Sequence, residues 1–179
     1  MTRSRDGSDP LGVVVIPAVN AHDARVRHLL RLAEKLGERA CRELDASEVT
    51  VNWFDGAQQR WVTIANIGSL GVGEERFPAG ETYARSRFPR VTELLEDGQG
   101  YIGVLYAADC LPEVARVLAL FGRSSCLGAP LNADDGKLWG ELYLTRDYGR
   151  PVFTHHDLER AVALAAKAGP RLARASNAP

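Results

Sequence analysis

Apolar residues recur every three to four positions from Val26 to Leu44, with Leu29, Leu30, Ala33, Leu36 and Ala40 between them. Arg27, Arg31, Glu34, Lys35, Glu38 and Arg42 take the opposite side. This is the period of an amphipathic helix with one buried stripe. Asn20-Ala-His-Asp23 reads as its start, with Asn20 capping and Asp23 in the first turn. A second long helix is expected after Thr154-His-His-Asp157, a variant capping box with Asp in place of Glu or Gln. Leu158, Ala161, Val162, Ala165, Ala168 and Leu172 then share one face. Pro170, late in that run, should kink or end the helix.

Between the two helices the pattern shifts to strands. Glu48–Phe54 and Arg60–Ile67 flank Asp55-Gly56, and Ser124–Leu131 and Lys137–Thr145 flank Asp134-Asp135-Gly136. Both pairs read as hairpins. Gly68 to Pro89 is rich in glycine and charge and reads as an irregular crossing. A short helix around Arg90–Asp97, a strand over Tyr101–Tyr106 and a helix over Leu111–Phe121 complete the interior. Leu11–Val19 is apolar, but Pro17 restricts it to an edge strand or an extended arm. Antiparallel strand pairs flanked by helices make an α+β sandwich with one central sheet.

The alternation is sharpest in Leu138-Trp-Gly-Glu-Leu-Tyr-Leu-Thr145. One face receives Leu138, Leu142 and Leu144; the other receives Trp139, Glu141 and Tyr143. The first is core. The second sets a carboxylate between two aromatics. A carboxylate there must be hydrogen-bonded, paired or hydrated, because an isolated buried charge is costly.

Composition narrows the function classes. The 179 residues are 45% hydrophobic and 25% charged, which suits one globular domain with a sizeable core. A net charge of −1 gives no reason to expect a nucleic-acid or anionic-membrane partner. Cys41, Cys110 and Cys126 are odd in number and form no CxxC pair, so neither a disulfide framework nor a cysteine zinc site is expected, and a cytoplasmic setting fits. No apolar run approaches the ~20 residues that span a bilayer. Met1 to Pro10 reads as a disordered lead without a signal-peptide core. HExxH, GxSxG, P-loop and GxGxxG patterns are absent. The four histidines fall near helix starts or on the first helix, and Gly68–Gly73 opens no helix that could seat a phosphate. No metal, cofactor or catalytic group is expected.

Three stretches in the second half carry a family resemblance. Arg123-Ser-Ser-Cys-Leu-Gly-Ala-Pro-Leu131 looks like the fourth-strand pattern of GAF domains. Leu138–Leu144 looks like their Gly-x-Leu strand, and Phe153-Thr-His-His-Asp-Leu158 like the start of their closing helix. The resemblance covers roughly Asn20 to Arg174. Gly73–Tyr83 with Phe88-Pro89 is similar to an actinobacterial subset of the family, whose members often stand at the front of signalling proteins, cyclic-di-GMP enzymes among them.

The resemblance implies a six-stranded antiparallel sheet. The first and last helices pack on one face and often build a homodimer. Short helices and loops roof the other face, which holds a small ligand or nothing. The expected division is residues 1–19 as an arm, 20–175 as the domain and 176–179 as a tail. The function implied is that of a non-catalytic sensory or regulatory domain that binds a small molecule, dimerises, or does both, and relays a signal to an output domain or partner. Trp139, Glu141 and Tyr143 are candidate pocket residues. Arg123, Arg85 or Arg87 could pair with Glu141. Trp53 and Tyr101 or Tyr106 are candidate aromatic walls, and Cys126 lies on a pocket-side strand. Two alternatives stay open. Glu141 could tether the crossing to the sheet in a ligand-free scaffold, or Cys126 could serve a redox enzyme of the free methionine sulfoxide reductase type.

Overall fold

The computed structural model describes residues 24–177; the expected arm and the Asn20 cap lie outside them. Helix α1 spans Ala24–Leu44 and buries Ala33, Leu36, Ala40 and Leu44, the expected stripe. It stops where Asp45 adopts a left-handed conformation, φ 48°. Strands β1 (Glu48–Asp55) and β2 (Arg60–Gly68) form the first hairpin. The crossing contains a short strand β3 (Thr82–Ala84) and a 3₁₀ turn at Arg85–Arg87. Next come α2 (Pro89–Glu96), β4 (Tyr101–Val104) and α3 (Pro112–Leu120). The second hairpin, β5 (Arg123–Asn132) and β6 (Leu138–Asp147), is followed by α4 (His155–Asn177).

One six-stranded sheet runs β3-β2-β1-β6-β5-β4, and all its pairings are antiparallel. The two hairpins meet at its centre, where β1 pairs with β6. Each face of the sheet buries its own core. Helices α1 and α4 cover one, with Val49, Val51, Leu127, Leu142 and Leu144 beneath them. The crossing, α2 and α3 cover the other, where Phe54, Trp61, Leu95, Leu118 and Cys126 are buried. The fold is therefore the expected α+β arrangement, with the two long helices on one face and a roof on the other.

Two local expectations need correcting: Pro170 does not end its helix, and β6 does not alternate regularly to its start. Helix α4 continues through Pro170 to Asn177. Proline costs a helix interior roughly 3 kcal/mol. Here Leu164 and Ala165 before it and Leu172 and Ala173 after it are all buried, so packing on both sides outweighs the lost hydrogen bond. Gly169 permits that packing, because a Cβ there would lie 2.3 Å from the carbonyl oxygen of Asn132.

The second correction concerns β6. Leu131 pairs with Gly140, but Asn132 pairs with Leu138, which leaves Trp139 as an extra residue. This β-bulge reverses the facing of everything on its far side. Trp139 turns into the helix-side core and donates from its indole to Ser176 Oγ of α4 at 3.0 Å. Leu138 faces the roof instead.

The Thr154 capping box forms as expected. Thr154 N–H donates to Asp157 Oδ2 at 2.9 Å, and Asp157 N–H donates back to Thr154 Oγ1 at 3.3 Å. A side chain with no sequence signature joins this corner to α1. The buried Arg146 guanidinium donates to the carbonyls of Leu44 at 2.6 Å, Asp45 at 3.1 Å, Pro151 at 3.0 Å and Val152 at 3.3 Å. It also lies 4.1 Å from the centroid of the Phe153 ring. A planar cation with several fixed donors suits this convergence of carbonyls.

Candidate functional site

Under the roof lies a partly enclosed cavity of about 110 Å³. That far exceeds the ~10–15 Å³ that admits one water, and approaches the ~150 Å³ of a cavity that binds benzene. Its floor is the roof-side face of the central strands. Residues 48, 50 and 52 of β1 stand opposite 145, 143 and 141 of β6, so polar side chains line up in register. Apolar surface comes from Phe88, Val91 of α2, and Val114, Val117 and Phe121 at α3.

Glu141 stands at one end of the floor and is 5% exposed. Its partners are neutral. Tyr101 OH donates to Oε1 at 2.8 Å, and Asn52 Nδ2 donates to Oε2 at 3.3 Å. Tyr101 belongs to β4, two strands away, and reaches Glu141 by lying over Gly128 of β5. A Cβ on Gly128 would meet Tyr101 Cε1 at 2.3 Å and Glu141 Oε1 at 2.4 Å. Burial pushes the Glu141 carboxyl up to about 7, and the two hydrogen bonds only partly restrain it. The network continues across the floor. Thr63 Oγ1 lies 3.2 Å from both Asn52 Oδ1 and Glu81 Oε1, and Tyr83 OH donates to Glu81. Thr63 has one hydroxyl proton for these two acceptors.

Arg123 stands at the other end. Its guanidinium pairs with Glu48 and Asp147 and donates to the carbonyl of Ser69 at 2.8 Å. The tether between crossing and sheet is thus Arg123, not Glu141. Arg85 pairs with Glu96, so it does not serve Glu141 either. Opposite Glu48 on β6, Thr145 lines the cavity, and its hydroxyl is buried with no hydrogen-bond partner among the described residues.

The expected site residues separate into four groups. Glu141, Tyr143 and Arg123 line the cavity. Cys126 lies in the roof-side core but not on the cavity wall. Trp139 and Trp53 pack against the helix-side core, so neither is a pocket wall. Tyr106 follows the end of β4, with φ 71°, and is exposed. The indole that does line the pocket is Trp61, which packs against Phe54 in a tilted arrangement with centroids 4.8 Å apart and donates to Thr92 Oγ1 of α2 at 3.1 Å. Its roof-side neighbour in the sequence pattern, Thr63, offered the signal that sequence reasoning missed. Glu48, Glu74 and Glu81 were also missed, because charged side chains in a strand edge and a crossing read as solvated.

A central antiparallel sheet with two long helices behind it and short helices and a crossing in front defines a GAF-like α+β domain. The sequence matches the GAF domain family over residues 28–172, and the chain belongs to that family. No curated protein matches it. Among solved structures, it is similar to the blue-light absorbing form of the Thermosynechococcus elongatus PixJ GAF domain, at TM-score 0.67 and 16% identity over 86% of this chain and 90% of that one. It is similar to the GAF domain/HD domain protein from Geobacter sulfurreducens, at TM-score 0.65 and 13% identity over 84% of this chain and 95% of that one. It also resembles the Stigmatella aurantiaca phytochrome photosensory core module, at TM-score 0.63 and 18% identity over 83% of this chain and 34% of that one.

Proposed function

We propose that the chain is a non-catalytic, cytoplasmic sensory domain that binds a small molecule between sheet and roof, dimerises, and passes the signal to an output domain or partner. The observation that carries this is the cavity itself: a structural roof would fill it, whereas this one stands over a floor of aligned polar groups. A redox role for Cys126 is opposed by its surroundings. Burial pushes its thiol up to about 12, which leaves almost no thiolate near neutral pH. Dimerisation is supported by the outward Ala163 and Ala166 of α4, which allow another helix to approach closely.

Native mass spectrometry of the purified protein tests both parts together. A dimer mass carrying a small adduct is expected. A bare species that also shows no rise in melting temperature with any of a broad metabolite set would leave the ligand-free scaffold as the better account.

A further inference from the structure

The pocket's charge is lopsided. Four carboxylates, those of Glu48, Glu74, Glu81 and Glu141, line it with a single cationic side chain, Arg123. That cation is already committed to Glu48 and to Asp147. Among the described residues Glu74, Glu81 and Glu141 form no ion pair. An anion entering here would meet the unpaired Glu74 and Glu81 in a partly desolvated space, where such repulsion is weakly screened, and would have no free cationic side chain to pair with among the described residues. A cation would meet carboxylates and the faces of Trp61, Tyr83 and Phe88, the surroundings that attract ammonium groups.

We infer that the pocket takes a small organic cation: an alkyl ammonium on a body of about one aromatic ring, with a hydrogen-bonding group at the opposite end. The inference rests on the pocket being a ligand site. The ammonium lies at the Glu81 and Glu141 end, away from Arg123. The opposite group meets the hydroxyl of Thr145, a cavity-lining residue whose hydroxyl is buried without a hydrogen-bond partner among the described residues. Thr145 and Glu141 are four residues apart on β6, roughly 13 Å along a strand. Allowing about 3 Å of contact at each end leaves roughly 7 Å between the ligand's two polar atoms. The cavity's volume is on the scale of one ring, and its open side leaves room for short arms.

Calorimetry with four matched probes tests this. Tyramine has the ammonium, the ring and the distal hydroxyl. 4-Propylphenol replaces the ammonium by a methyl group, phenethylamine lacks the hydroxyl, and 3-(4-hydroxyphenyl)propanoate carries an anion instead. Tyramine is expected to bind at least tenfold tighter than 4-propylphenol or the propanoate, and severalfold tighter than phenethylamine. Glu81→Gln should weaken tyramine at least fivefold and leave 4-propylphenol unchanged. Thr145→Val should bring tyramine down to the level of phenethylamine. Equal or tighter binding of the neutral or anionic probe overturns the cation preference and leaves the ligand pocket standing. If none of the four binds, the organic-cation inference is overturned, while the pocket as a ligand site stands or falls on the native mass spectrum and the metabolite melting-temperature screen.

Discussion

Tyr101 donates to Glu141 across a whole intervening strand, at 2.8 Å, through space that only a glycine at position 128 leaves open. The contact joins the edge strand β4 to the sheet centre on the face where the pocket lies. Among the described residues it is also the shorter of the two side-chain hydrogen bonds that hold the buried Glu141 carboxyl.

Gly128→Ala should therefore break that contact without touching either partner. The expected cost is about 1–3 kcal/mol, from an orphaned buried polar group and local overpacking. Urea denaturation measures the loss. A Tyr101→Phe, Gly128→Ala double variant should cost less than the sum of the two single changes, because both remove one interaction. Full additivity would show that the two act separately.

The pH dependence of stability has a definite sign. An ordinary glutamate titrates near 4.5, and burial pushes folded Glu141 up to about 7. Between those values the folded chain holds a proton that the unfolded chain has released. Stability contributed by this group is full below pH 4.5 and falls as pH rises to 7. The full difference is worth at most about 3 kcal/mol. Glu48 acts in the same direction: burial and Glu74 raise it, despite Arg123. Glu141→Gln should flatten much of the decline between pH 5 and 8 in denaturation curves. An unchanged slope would assign the decline elsewhere.

Trp139→Ala is expected to destabilise strongly, by about 3–5 kcal/mol, because it empties a large site in the core. The indole is 5% exposed and also bonded to Ser176. Trp139→Phe should cost much less. Folded Trp139→Phe protein should bind pocket ligands with unchanged affinity, since the ring faces α4. A large loss of affinity at an unchanged melting temperature would contradict that placement.

Arg146→Lys should cost about 3 kcal/mol or more, because one ammonium cannot reach carbonyls from both Leu44-Asp45 and Pro151-Val152. The corner where α1 ends and α4 begins should loosen first. Hydrogen exchange at the N-terminal turn of α4 checks this: faster exchange there, ahead of the central strands, is the expected pattern.

Much of this fold is legible because its signals are local. The α1 stripe, the Thr154 box and the Gly-containing turns each act within a few residues, and they stand where the pattern puts them. The pocket is less legible, for reasons that differ by residue. Trp53 shares strand parity with Val49 and Val51, so alternation alone sends it to the helices; choosing it for its aromatic chemistry overrides that parity. Trp139 is harder, because the bulge that turns it arises from pairing between β5 and β6 and leaves no mark in the composition of β6. Tyr101 as the partner of Glu141 depends on a contact spanning 40 residues and on an unobtrusive glycine. Arg146 looks like any exposed strand-end arginine until the carbonyls of two distant turns are brought around it.

The bulge at Trp139 gives β6 the character of a short crank. Within three consecutive residues the chain carries an indole seated on the last turn of α4 and a carboxylate seated in the floor of the pocket. The two sides of the sheet are separate cores, yet here only two peptide units lie between them. A displacement of Glu141 by whatever occupies the cavity has its shortest covalent route to the helix layer through that crank, and the end of α4 is where its motion would emerge.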